Sequence, residues 1–379
     1  MGALRERGSL SQADIARATG LSRTTVHSLV VGLKGAGIVR EVDSSGPARR
    51  SGRPATLLVL QDESHAVLGI DFGHSHVQVA VADLAHNVLA ERRCDLDVNH
   101  HASAALDAAA SMATEAMVEA GIDRDSIIGA AIGIPGPVDR ARGMAGSATI
   151  LPGWVGLRIS ETMEKRLGMF VEIENDANLG ALAELAWGAG RGLSSFVYVK
   201  AATGIGSGLV IDGRLLHGAT GTAGELGHTT LDEGGVLCYC GNRGCLETVA
   251  SGAAIVRLVA QASDDHVALT DVVDRAMSGD VRCRRAISDA GKEMGVALAS
   301  LCNLVNPERV IVGGLLSRAG DLLLQPLRES IRRHAVLAAA ENLDVVQAVF
   351  VERAELLGAL HLALRRSMTR GHLVEQPVA

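Results

Sequence analysis

The sequence predicts an α/β protein in two parts, an N-terminal winged helix-turn-helix followed by a larger body built from two α/β halves facing a cleft. Three observations carry this. Two short capped helices flank a three-residue turn and lead into a hairpin. A strand–turn–strand unit followed by helices and a buried strand then occurs twice. The charge also changes sign along the chain: residues 1–60 hold nine Lys/Arg against four Asp/Glu, so the remainder carries about −12 of a net −7. A basic segment on an acidic body is the electrostatic footprint of a polyanion-binding module. The length of 379 residues suits two or three domains. With 47% hydrophobic residues but only 2% aromatics, Leu, Val, Ile and Ala have to fill the cores.

In the first part, Ser11 is placed to cap a helix from Gln12 to about Thr19, and Gly20 ends it in the conformation glycine tolerates best. Ser22 caps a second helix reaching about Ala36. Ile15, Leu21, Val26, Leu29 and Leu33 are spaced to pack together. Residues 38–42 and 56–60 read as two strands around a Ser/Gly/Pro/Arg-rich loop, which makes a wing. In such modules the second helix enters the major groove. Ser22, Arg23, Thr24, Thr25, His27 and Ser28 therefore stand where phosphates and base edges are met, and Arg49, Arg50 and Arg53 in the wing suit the DNA backbone or minor groove. A protein-interaction module with a solvated basic loop would share this pattern.

From Ala66, three strand patterns joined by short turns precede an Ala-rich helix over about 102–120. A buried strand ending in a Gly/Pro turn (127–138) follows, and then a strand entering a helix at 170–178. Residues 194–216 restart the pattern, and 309–314 form a later buried strand. The stretch 263–280 reads as polar helix, and the tail after Val374 as loose. The expected division is 1–60 for the DNA module and 61–379 for the body, with a smaller lobe of about 61–182 plus the C-terminal helix and a larger lobe of about 183–360. No apolar run reaches membrane-span length and no signal-peptide core is present, so a soluble cytoplasmic protein is expected.

The densest chemical signal is ELGH (225–228) followed by CYCGNRGCLE (238–247). His228, Cys238, Cys240 and Cys245 make a Cys₃His set that suits one tetrahedral Zn²⁺ per chain in a closed, structural site. Gly241 and Gly244 allow the tight path that brings three thiolates together. Cys94, Cys283 and Cys302 are isolated and read as small core or surface residues. Glu225 and Glu247 flank the ligands, so the metal that holds the loops also holds two carboxylates, and a carboxylate pair accepts hydrogen bonds from sugar hydroxyls.

ELGH…CYCGNRGCLE, together with EIENDAN (172–178) and ATGIGSG (202–208), resembles the ROK family of sugar kinases and repressors over nearly the whole chain. The N-terminal module ending in SGRPA (51–55) resembles the repressor branch, with its xylose and N-acetylglucosamine repressors. The resemblance implies an actin/hexokinase-like, ribonuclease H-like fold with a sugar in the cleft. It implies that Asn175, Asp176, Glu225, His228 and Glu247 line the sugar site, with Asp176 the general base if the protein is a kinase. It also places Gly204, Gly206 and Gly208 against nucleotide phosphates and Gly313–Gly314 against adenosine. Two departures stand out. The family kinases' Asp-x-Gly-Gly-Thr phosphate loop reads here Asp71-Phe72-Gly73-His74-Ser75, which sets the ring of His74 where phosphate would approach the backbone. Ile150 stands where those kinases often have Asn before Leu-x-Gly-Trp. The expected function is a sugar-responsive transcriptional regulator, acting on operator DNA with a sugar or sugar-phosphate effector as a homodimer or dimer of dimers without a membrane partner. An ATP-dependent sugar kinase with an accessory DNA module is the rival reading.

Overall fold

The computed structural model describes residues 2–35, 38–43, 56–60, 65–146, 150–261 and 267–371. The N-terminal module runs α1 (Gly2–Arg7), β1 (Ser9–Leu10), α2 (Gln12–Thr19), α3 (Arg23–Gly35), β2 (Val39–Asp43) and β3 (Thr56–Leu60). The ends of α2 follow from local chemistry. The Ser11 hydroxyl accepts a bond from the Asp14 amide at 3.2 Å, and the Asp14 carboxylate accepts one from the Ser11 amide, which satisfies two orphan donors reciprocally. Gly20 closes the helix at φ 71°. Ser22 caps α3 by accepting from the Thr25 amide at 3.1 Å. β1 and β2 pair antiparallel on either side of β3. Val26 and Val30 are the fully buried side chains of α3; Leu21, expected in the same core, is 43% exposed because it sits on the turn outside the helix face. The wing loop lies outside the described residues, and so do Arg49, Arg50 and Arg53.

The body begins with β4 (Ala66–Phe72), β5 (His76–Asp83), β6 (Val88–Asp95), α4 (Ala102–Ala120), β7 (Ile127–Ile134), the hairpin β8 (Val138–Asp139) and β9 (Met144–Ala145), α5 (Ile159–Leu167), β10 (Val171–Asn175) and α6 (Asp176–Trp187). It continues with β11 (Phe196–Ala201), β12 (Ile205–Ile211), β13 (Arg214–Leu215), α7 (Leu246–Ala250), α8 (Gly252–Ala260), α9 (Leu269–Met277), α10 (Val281–Val305), β14 (Arg309–Gly313), α11 (Asp321–His334), α12 (Leu337–Ala340), β15 (Asp344–Gln347) and α13 (Ala354–Gly371). Of the stretch expected as polar helix, α9 is the described part; residues 262–266 lie outside it, as does the tail from 372.

The two five-stranded sheets are topological copies. One is ordered β6-β5-β4-β7-β10 and the other β13-β12-β11-β14-β15. In each, the first three strands form an antiparallel meander and the last two run parallel to the first strand. This duplicated arrangement is the two-lobed actin/hexokinase-like fold. α6 packs on β11 and β12, while α13 returns from the second sheet to pack on β4, β7 and α6. These two helices thus form the joint between the sheets.

Small residues set the packing distances. α4 buries Ala102, Ala105, Ala109, Ala113 and Ala116 with Leu106 and Met112, a helical stripe that lets it lie close on β5 and β6. The first-lobe core adds Phe72 edge-on to Trp154, whose indole N–H donates to the Val98 carbonyl at 2.7 Å. The hydrophobic core of the DNA module is continuous with that of the body: Leu10, Val26 and Leu60 belong to one buried cluster with Ala82, Leu84, Leu360 and Leu364. Among the described residues no helix is long and apolar enough to cross a membrane.

Candidate functional site

A cleft of about 900 Å³ opens between the two sheets. Its floor is built at the start of α6, where Asn175 is the N-cap and Asp176 the first helical residue. The Asn175 side chain accepts from the Asn178 amide and donates to the Gly136 carbonyl at 2.8 Å. The Asp176 carboxylate accepts from the Ala177 amide at 2.7 Å with one oxygen and from Lys200 Nζ at 2.9 Å with the other. Both side chains are therefore held in place by the first turn of α6. Glu225, His228 and Glu247 face the same cleft, so the structure brings together all five residues expected to meet a sugar. Glu247 accepts from the Tyr239 hydroxyl at 2.5 Å and from the Ile205 amide at 3.2 Å. Burial, and then the nearby carboxylates of Asp176 and Glu247, push Glu225 up to about 7.

The four expected metal ligands converge at the rim. Their donor atoms all lie within 4.8 Å of one another. The Cys238 Sγ–His228 Nδ1 and Cys240 Sγ–Cys245 Sγ separations are both 3.7 Å. A tetrahedral zinc with bonds of about 2.3 Å to sulfur sets its sulfurs about 3.8 Å apart, so these residues fit that ion. Gly244 has φ 59°, and a Cβ there would stand 1.7 Å from the Asp232 carbonyl oxygen, which shows why the tight return needs glycine. His228 joins the two sites: Nδ1 faces Cys238, while Nε2 faces the Tyr239 hydroxyl at 3.4 Å and Glu225 at 3.8 Å. Of the other cysteines, Cys283 and Cys302 are buried in the second core and Cys94 is half-buried.

Two histidine rings line the phosphate side of the cleft. His74 lines the cleft and bonds Asn99 at 2.8 Å. The ring that covers Gly73 is that of His76, at the start of β5: a Cβ on Gly73 would meet it at 2.2 Å, and its Nε2 lies 3.3 Å from Asp71. Gly204, Gly206 and Gly314 line the cleft, but Gly208 and Gly313 do not. Gly208 packs on Ala181 and the Ala177 carbonyl, and Gly313 on the Tyr198 ring; both are bare so that a strand can lie against its neighbours. Ile150 lines the cleft beside Gly136. Lys200 and Glu355 are cleft residues the sequence reading missed. The only signal for Lys200 was a charge inside the apolar strand FVYVKA (196–201); Glu355 sits 155 residues further on and had none.

At the DNA end, Arg23, Thr24, Thr25, His27 and Ser28 are all exposed on the first turns of α3. The Ser22 and Thr25 hydroxyls bond each other at 2.8 Å, and His27 lies 3.3 Å from Gln12 of α2. Arg23 and Thr24 thus project with the least internal engagement.

Residues 67–366 match the model of the ROK family. The chain belongs to the ROK family. Residues 1–50 match the model of the MarR family, the winged helix-turn-helix part. A curated relative from Caldicellulosiruptor bescii, a xylose repressor, is 29% identical over 368 residues, covering 94% of this chain and 92% of its own. The crystal structure of a ROK family transcriptional regulator, a homologue of the E. coli Mlc protein, superposes with a TM-score of 0.80 at 27% identity and covers 96% of this chain and 93% of its own. A ROK glucokinase from Streptomyces griseus, solved with glucose and AMPPNP, has a TM-score of 0.71 at 30% identity and covers 79% of this chain and 99% of its own. The regulator thus spans the N-terminal module as well as the ROK body.

Proposed function

We propose that this chain is a sugar-responsive repressor of carbohydrate genes. Residues 1–60 hold operator DNA through α3 and the wing, and residues 61–379 sense the effector in the cleft. The observation that carries this reading is the exposed N-terminal face of α3 on a module whose core is continuous with the cleft-bearing body. Relatives that share both parts are named as repressors or regulators. Asn175, Asp176, Glu225, His228 and Glu247 form the sugar site; Ser22, Arg23, Thr24, Thr25, His27 and the wing arginines Arg49, Arg50 and Arg53 form the DNA surface. A dimer matches a palindromic operator, and the protein works in the cytoplasm where its DNA lies.

The kinase reading meets two obstacles. His76 covers Gly73 of the loop that would take a phosphate, and Lys200 pairs with the carboxylate that would serve as base. One structural Zn²⁺ is assigned to His228, Cys238, Cys240 and Cys245. When bound through Nδ1 it leaves Nε2 of His228 as a fixed N–H donor facing the sugar.

Fluorescence anisotropy tests the function. A duplex selected from a random library should bind at nanomolar protein concentration and be released by a sugar. Binding to no duplex, or release by no saccharide, would overturn the proposal. Metal analysis should find one zinc per chain in the parent and less in Cys240→Ser; zinc-free parent protein would remove the metal assignment.

A further inference from the structure

The loop from His217 to Glu225 follows β13 of the second lobe, yet it reaches across to the first. It turns back on itself where the Ala223 amide donates to the His217 carbonyl at 3.2 Å, and it ends on Glu225, one of the proposed sugar carboxylates. Along the way Gly221 has φ 83°, and a Cβ there would stand 2.5 Å from the carbonyl oxygen of Val138 in β8. Only a bare residue lets the loop lie this close to the first lobe. At its far end Gly224 is tied to β12, its carbonyl accepting from the Ser207 hydroxyl at 2.8 Å.

The start of the loop is fastened by charged groups. Nε2 of His217 lies 2.8 Å from the Glu174 carboxylate of β10 and 2.8 Å from the guanidinium of Arg140, which follows β8. Arg140 also meets Glu172 at 2.8 Å and Glu174 at 3.4 Å. Two carboxylates thus face one guanidinium, and His217 supplies a further N–H for Glu174 to accept. The Glu174 side chain is only 2% exposed, so little water competes for that bond.

Glu174 is also the link to the cleft. Its other oxygen accepts from the Asn175 amide at 2.9 Å and from the Asn178 side chain at 3.0 Å, in the turn that carries Asn175 and Asp176. One carboxylate therefore joins two pieces of chain that must meet the same sugar: the start of α6 in the first lobe and the loop that delivers Glu225 in the second. Glu174 and His217 themselves stand behind the cleft and do not line it.

We propose that His217 is a positioning residue for the effector. Its bond to Glu174 clasps the 217–225 loop to the first lobe and holds Glu225 in register with Asn175 and Asp176 before the sugar arrives. A site assembled in advance loses less affinity to ordering on binding. This inference rests on the cleft being the sugar site.

Calorimetry on the full-length protein tests it, with D-xylose, D-glucose and N-acetylglucosamine as probes. His217→Ala should weaken the sugar that binds the parent by about tenfold or more, the scale of a lost hydrogen bond to a charged group. His217→Gln offers Glu174 an amide N–H and Arg140 an amide oxygen, and should restore affinity to within about threefold of the parent. Hydrogen exchange on the sugar-free proteins gives a second readout. Amides of residues 217–225 should exchange about fivefold faster or more in His217→Ala than in the parent or His217→Gln, because the clasp that limits local opening is gone. Parental affinity in His217→Ala, a His217→Gln no better than His217→Ala, or weakened binding with unchanged exchange in the loop would each overturn the proposal while leaving the sugar site in place. If none of the three sugars bound the parent, or if Glu247→Gln bound its sugar as tightly as the parent, the sugar-site reading would fall and this inference with it.

Discussion

Glu174 is buried behind the cleft, yet its carboxyl is held below the usual carboxylate range. Burial alone would raise it, but the His217 hydrogen bond and the Arg140 guanidinium, 3.4 Å away, outweigh that. One Glu174 oxygen accepts from the Asn175 amide and from Asn178, which aims the cap of α6; the other accepts from His217 at 2.8 Å. A depressed carboxylate contributes stability that is present above its unfolded value and lost as pH falls through the lower folded value. Glu174→Gln should therefore melt below the parent at pH 7, and the gap should narrow as pH is lowered toward 3.5. A gap that stays constant across that range would place the residue's contribution in shape rather than charge. Glu247 makes a separate residue-scale prediction. Glu247→Gln keeps the volume but replaces a charged acceptor, and a hydrogen bond to a charged group is worth about 1.5–3 kcal/mol. Sugar affinity should fall roughly 10- to 150-fold by calorimetry, while operator binding without sugar stays unchanged, because α3 lies in another part of the chain.

At the scale of elements, the joint between the sheets depends on one bare position. α13 crosses α6 where Gly358 faces the backbone of Leu179, and a Cβ there would stand 1.9 Å from the Leu179 carbonyl oxygen. Neither backbone can yield without moving its helix, so Gly358→Ala should cost at least the roughly 1–3 kcal/mol typical of overpacking and lower the denaturant midpoint. An unchanged midpoint would mean that α6 and α13 slide freely. Nothing in the residues around 358 announces this contact, since its partner lies far away in the chain. Elements with local signals were legible: Ser11 and Gly20 gave the bounds of α2, and the alanine stripe gave α4 from Ala102 to Ala120. The ligands and carboxylates around 225–247 were legible because they crowd into one stretch. Features made by distant segments were not. The coverage of Gly73 by His76 instead of His74 depends on which way two neighbouring rings turn at the start of β5, and Lys200 meets Glu355 only because α13 returns to the first lobe.

For the whole molecule, the proposed function requires that cleft and DNA module exchange free energy. The structure offers a continuous path. α13 begins with Glu355 on Lys200 in the cleft, and further along it Leu360 and Leu364 share a core cluster with Leu10 and Leu60 of the winged module. Packed cores shift between discrete arrangements more readily than they deform smoothly, so a change of closure at one end of α13 is felt at the other. Such coupling is reciprocal: whatever factor the sugar removes from operator affinity, the operator must remove from sugar affinity. Allosteric couplings of about 1–3 kcal/mol correspond to factors of roughly 5–150. Titrating the best sugar into protein alone and into protein saturated with operator duplex should therefore give affinities that differ by the same factor found when operator is titrated with and without sugar. Equal sugar affinity in both titrations, alongside sugar-driven release, would mean that the sugar acts by a route other than a shared equilibrium, such as changing the oligomer that holds the DNA.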